Sequence, residues 1–142
     1  MSGVEKAVVD ASVVVKWFVE EEGSEEALAI RRRYIEEEVE IVAPELIHFE
    51  VLNALRYKGL FTAPEIKRIA ESLDAYSFDL RSLRGEYAAQ AVEAAFENDV
   101  TVYDSSYVSL ARREGTRLYT GDQKLVQKLK EPYRKFVKDI RG

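Results

Sequence analysis

The chain contains no cysteine. That excludes disulfides, thiolate zinc centres and cysteine nucleophiles together. It contains one histidine, His48, so sites built on two or three imidazoles are excluded as well. Any metal here must be held mostly by oxygen, which selects hard ions such as Mg²⁺ or Mn²⁺. No run of about eighteen or more apolar residues occurs, so no membrane-spanning helix is expected. The start, Met1-Ser2-Gly3-Val4-Glu5-Lys6, lacks a basic stretch followed by an apolar one. No secretory leader is expected, and a cytoplasmic location is. The prolines are few and scattered (Pro44, Pro64, Pro132), and neither a linker nor a repeat is visible. One domain covering residues 1–142 is the expectation from that length.

What is present is a chain 46% hydrophobic and 33% charged, enough apolar residue for a packed core. Its net charge of −5 argues against a protein that coats polyanions, which would carry a basic footprint. An enzyme that meets nucleic acid locally, through a bound cation, remains compatible. Abundant Glu, Lys and Arg with only Asn53 and Asn98 as asparagines resemble a heat-adapted composition, which says nothing about function.

Short β-branched runs alternate with longer helical patterns. Strands are predicted at residues 4–9, 40–43, 78–80, 100–103 and 117–120, with 136–140 either a strand or a tail. Helices are predicted at 13–18, 24–38, 44–59, 66–75, 86–97, 105–113 and 123–129. Ser24 reads as an N-cap, Pro44 as a first-turn proline and Gly59 as a helix stop. Thr62-Ala63-Pro64-Glu65 has capping-box spacing. Strands alternating with helices imply an α/β fold with a parallel sheet covered on both faces. In such sheets ligands bind outside the carboxyl ends of the strands.

Asp10, Asp104 and Asp122 each follow a predicted strand, so a parallel sheet would bring them to one edge. Each also precedes a predicted helix, where Asp is a common cap, so taken singly each is explained by capping. Glu50 shifts the balance. It falls mid-helix, where it caps nothing, on a face with Leu46, Ile47 and Ala54. A carboxylate in an apolar stripe is costly unless it is paired, hydrogen-bonded or bound to a cation. Clustered acids raise one another's pKa, and a divalent cation reverses that cost. Carboxylates with Mg²⁺ also suit phosphoryl transfer, because the ion lowers the pKa of a bound water and stabilises a leaving oxygen.

Four segments carry a resemblance in order along nearly the whole chain. They are Val8-Val9-Asp10-Ala11-Ser12, Pro44 to Leu55 around Glu50, Tyr103 to Ala111 around Asp104, and Tyr119-Thr120-Gly121-Asp122. Together they resemble the PIN-domain family, and within it the VapC-type toxin ribonucleases of VapBC toxin–antitoxin pairs. The resemblance implies an α/β/α sandwich around a parallel sheet of four to five strands. It implies a Mg²⁺- or Mn²⁺-dependent endoribonuclease that cleaves single-stranded or loop RNA with metal-activated water. It assigns the acidic quartet to Asp10, Glu50, Asp104 and Asp122 as catalytic metal ligands, with Ser12, Asn53 and Thr120 in support. It also implies a homodimer and a VapB-type antitoxin partner. Ser105 departs from the alanine that relatives often carry there, without touching the acids.

Other features read as structure. Arg31-Arg32-Arg33 point in different directions on a helix and form no single patch. Lys16, close after Asp10, carries no assignment beyond a possible approach to RNA. His48, two residues before Glu50, faces elsewhere on that helix. Trp17 and Phe18 read as core, with a partner contact as the alternative. Leu60 and Phe61, beside Gly59 in an inter-helix turn, read in the same way, as core with a partner groove as the alternative. Two rival classes lack their motifs: there is no G-x-G-x-x-G or P-loop for a nucleotide-binding domain, and no adjacent acids after the first strand for a phosphoacceptor receiver. A PIN nuclease outside a toxin pair, or a silent RNA-binding PIN scaffold, stay open as alternatives.

Overall fold

The computed structural model describes residues 4–142; the segment 1–3, part of the leader reading above, lies outside the described residues. Five strands form one sheet: β1 (Glu5–Val9), β2 (Val39–Pro44), β3 (Asp79–Arg81), β4 (Leu118–Thr120) and β5 (Val137–Asp139). Their order is β3-β2-β1-β4-β5, and every neighbouring pair is parallel. Among the described residues seven α-helices connect or flank them: α1 (Ala11–Val15), α2 (Ser24–Ile35), α3 (Ile47–Lys58), α4 (Ala63–Tyr76), α5 (Gly85–Asn98), α6 (Val102–Arg113) and α7 (Gln123–Lys128).

Consecutive residues of the central strands are buried: Ala7, Val8 and Val9 in β1, and Ile41, Val42 and Ala43 in β2. Side chains alternate across a sheet, so burial of successive residues means both faces are covered. The helices form the two outer layers. α1 packs on α3 and α2, and α3 on α4, while α5 packs on α6, which lies against β1, β2 and β4. Each fully buried Val, Ile or Leu in that interior contributes about 1.5–3 kcal/mol.

The chain runs from β1 to β2 to β3 on one side and then returns to place β4 on the other side of β1. The direction of winding therefore reverses between β1 and β4. A crevice opens at the carboxyl ends of two strands that diverge in this way.

The predicted strand at 100–103 does not form. α5 ends at Asn98, where Asp99 adopts a left-handed φ of 53°, and Thr101 already caps α6 by accepting from the Asp104 amide at 3.0 Å. Val102 and Tyr103 are solvent-exposed and have no sheet face to fill. The apolar run is thus a helix start, and the fifth strand comes from the segment left open as strand or tail. Other boundaries move for local reasons. Gly23, at φ 90°, precedes α2 in place of Ser24, and Ser24 instead accepts from the Glu21 amide at 2.8 Å. α2 ends at Ile35, short of residue 38, and α1 spans 11–15 in place of 13–18. Pro44 closes β2, pairing with Arg81, and α3 starts only at Ile47. The capping box at Thr62 and Glu65 forms as read, and Gly59 ends α3 at φ 71°.

Candidate active site

Asp10 follows β1 directly and caps α1. Its Oδ1 accepts from the Ser12 amide at 3.0 Å and from the Ser12 hydroxyl, and its Oδ2 accepts from the Thr120 hydroxyl. Thr120 is the last residue of β4, and its oxygen also accepts from the Asp122 amide at 3.0 Å. The Ser12 hydroxyl accepts from the Gly121 amide at 2.7 Å. Two short hydroxyl side chains thus knit the tips of β1 and β4 together, at the point where the winding reverses. Asp122 caps α7 by accepting from the Leu125 amide at 3.1 Å.

Asp104 lies in the first turn of α6, so it reaches the sheet edge on a helix rather than at a strand end. Glu50 lies in the first turn of α3 and not mid-helix as read from the sequence, because α3 starts only at Ile47, and it accepts from the Tyr107 hydroxyl at 2.5 Å. All four acids line one cavity of ≈ 360 Å³ together with Ser12, Ala54 and Tyr107. The prediction that these acids share an edge therefore holds as geometry, although one of its three strand ends is a helix start.

The electrostatics follow from burial and like charge. Burial, opposed by the Ser12 and Thr120 hydroxyls, pushes the Asp10 carboxyl up to about 6, and Asp122 adds to the rise. Burial also raises Asp104, again with Asp122 adding. Glu50 is raised by burial and by Asp104, against the pull of the Tyr107 hydrogen bond. Such a cluster favours protons or a cation.

Asn53 does not join the acids. It is exposed and lines a separate groove with Phe49, Leu52 and Arg56. His48 is half-buried with its ring edge toward Phe78, its Nε2 lacking a hydrogen-bond partner among the described residues. Trp17 packs edge-on against Tyr76 and Phe78 and donates to the Ala27 carbonyl at 2.8 Å, so it belongs to the interior. Leu60 is exposed, while Phe61 packs on the core. The arginine run has separate roles: Arg31 donates to the Tyr76 hydroxyl, Arg33 pairs with Glu5 and Glu38, and Arg32 is exposed.

Three cavity residues were missed from the sequence: Tyr107, Lys58 and Glu21. Two carried a signal. Glu50, Ala54 and Lys58 follow one another at four-residue spacing along one helix face, and Tyr107 lies three residues after Asp104. Glu21 sits in the loop after α1, where no periodicity exists to read.

The donor set suits a hard divalent ion. It consists of carboxylate and hydroxyl oxygens. Glu50 Oε2 accepts no hydrogen bond among the described residues. No group of three or more acids among those residues is gathered tightly enough to hold an ion unaided. A divalent ion taken up by this set would be held in part through water.

A parallel α/β sheet with an acidic cavity at its switch point defines a class of carboxylate-rich α/β domains. The chain's place within that class is specific: it belongs to the PIN domain family, whose model matches residues 7–130. It is 33% identical over 130 residues to Ribonuclease VapC3 of Pyrobaculum aerophilum, covering 87% of this chain and 94% of that protein. Two solved structures share the fold. The crystal structure of PAE2754 from Pyrobaculum aerophilum matches with a TM-score of 0.61 at 23% identity, covering 96% of this chain and 92% of that one. A toxin–antitoxin complex from Klebsiella pneumoniae matches with a TM-score of 0.64 at 15% identity, covering 94% and 97%.

Proposed function

We propose that this PIN-domain chain, acting as one unit over residues 1–142, is a Mg²⁺- or Mn²⁺-dependent endoribonuclease and the toxin of a type II toxin–antitoxin pair. The observation that carries the reading is the lining of a single cavity by Asp10, Glu50, Asp104 and Asp122 at the reversal between β1 and β4. The likeness to Ribonuclease VapC3 supports RNA as the substrate. That likeness, with the fold shared with a toxin–antitoxin complex, supports a VapB-type antitoxin as partner. Exposed apolar side chains such as Phe49, Leu60 and Phe96 offer surface to that antitoxin and to a second copy of the chain in a homodimer.

In this mechanism Asp10, Asp104, Asp122 and Glu50 would hold the ion. When bound, a divalent ion supplies activation of water and neutralises charge on the phosphodiester. The protein's own part is placement. Ser12 and Thr120 fix both Asp10 oxygens, and the cap on α7 fixes Asp122. Tyr107 donates to one Glu50 oxygen and leaves the other free of that bond. No side chain forms a covalent intermediate.

The test is cleavage of mixed-sequence single-stranded RNA with Mg²⁺, with Mn²⁺ and with chelator, beside Asp10→Asn and Asp104→Asn. The parent should cut only with metal, and both folded variants should be silent. Retained cleavage by both variants would overturn the assignment.

A further inference from the structure

The acidic cavity contains a second cluster of opposite character. Glu21 and Lys58 line it beside the four acids, and among the described residues of its lining Lys58 is the one cation. Glu21 bridges two lysines through separate oxygens: Oε1 meets Lys16 Nζ at 3.2 Å and Oε2 meets Lys58 Nζ at 2.7 Å. The lysines differ in setting. Lys16 is buried, whereas Lys58 and Glu21 each keep about a third of their side chains exposed. Lys16 is also held tightly, because a Cβ added at Gly121 would come within 2.9 Å of its Cε. It therefore runs beside the turn that leads into Asp122. Lys58 ends α3, where a cation is favoured by the helix dipole. The backbone of Glu21 is held by Ser24.

This triad has a chemical meaning at this position. A buried ammonium needs an anion, and Glu21 supplies it. A phosphodiester offers the same two-oxygen anionic edge through its non-bridging oxygens. An RNA strand entering this cavity meets four carboxylates, so it needs local cations. Among the described residues the ammonium groups of Lys16 and Lys58 meet one part-exposed carboxylate, which can be exchanged. We infer that Lys58, backed by the buried Lys16, forms a backbone-phosphate subsite for single-stranded RNA, and that Glu21 is the internal counter-ion which an incoming phosphate displaces from Lys58. The inference rests on the ribonuclease reading and extends it to the residues that seat the strand.

The experiment measures binding of a fluorescent mixed-sequence single-stranded RNA by anisotropy, on the Asp10→Asn background so that the strand stays intact, across a salt series. Glu21→Gln keeps the shape and removes the competing charge, so it should tighten binding about three- to tenfold at low salt. Lys58→Ala should weaken binding by a similar factor. It should also flatten the slope of log affinity against log salt by roughly 0.7, the value for one phosphate contact on a single strand. Effects of opposite sign separate a subsite from general damage to the fold. Lys58 is a half-exposed helix end, so its variant keeps the test decisive if Glu21→Gln fails to fold. An unchanged salt slope in Lys58→Ala, or binding no tighter in folded Glu21→Gln, overturns the subsite while leaving the nuclease standing. No binding of any RNA by the Asp10→Asn background, with its fold intact, overturns the ribonuclease reading and the subsite together.

Discussion

The Tyr107 hydroxyl donates to Glu50 Oε1 at 2.5 Å, so α6 holds the carboxylate that α3 presents. Tyr107 is buried, and burial followed by the charge of Glu50 raises its phenol pKa, which keeps it a donor. Tyr107→Phe keeps the ring and deletes that donor. It should cost about 1–2 kcal/mol in urea unfolding, the usual worth of a hydrogen bond to a charged group. It should also slow RNA cleavage about tenfold, because Glu50 loses its fixed orientation. Cleavage at the parent rate would show that Glu50 needs no such support.

Asp10 gives a pH signature. Its carboxyl is raised by burial from 3.8 to about 6. The folded protein therefore holds this proton more tightly than the unfolded chain does. That contribution to stability is fully present below about pH 4 and is lost as pH rises through about 6. Asp10→Asn carries no charge to bury. In chelator it should be more stable than the parent above pH 6, by up to about 3 kcal/mol, and the gap should close below about pH 4. Urea midpoints across this range measure it. A constant gap at every pH would assign the effect to packing instead of charge.

Metal addition should offset the same penalty. At pH above 6, millimolar Mg²⁺ or Mn²⁺ should raise the Tm of the parent, and chelator should reverse the rise. Ligand at about a hundred times its Kd stabilises by about 2.7 kcal/mol. Asp10→Asn should respond far less in the same melts. Equal shifts in parent and variant would place the ion elsewhere.

The capping box of α4 serves as the contrast. Thr62 accepts from the Glu65 amide at 3.3 Å, and the Glu65 carboxylate accepts from the Thr62 amide at 2.8 Å. Thr62→Ala should cost about 1 kcal/mol of stability. The box lies outside the acidic cavity, so cleavage at a temperature where the variant is folded should match the parent. A loss of cleavage in folded protein would tie α4 to catalysis.

The sequence by itself determined the fold class, most of the elements and the identity of the four acids. Period-two and period-3.6 patterns reflect which face each element buries, and an acid on an apolar helical stripe is conspicuous without any coordinates, although Glu50 proves to sit in the first turn of α3 and not mid-helix. Local chemistry was legible where it is local: the box at Thr62 and Glu65, the stop at Gly59 and the caps at Asp10 and Asp122 all lie within a few residues of what they bind. The tertiary structure alone decided the rest. Residues 100–103 are β-branched and aromatic enough for a strand, yet the sheet has no place for them, and the cap at Thr101 makes them a helix start. Asn53 has helical spacing from Glu50 but lines a separate groove. The Ser12–Asp10–Thr120 link, the Tyr107–Glu50 bond and the Lys16–Glu21–Lys58 bridge join segments far apart in the chain. Sequence patterns report how each segment meets water. Which distant side chains meet one another depends on the order β3-β2-β1-β4-β5, and that order is set only when the whole sheet assembles.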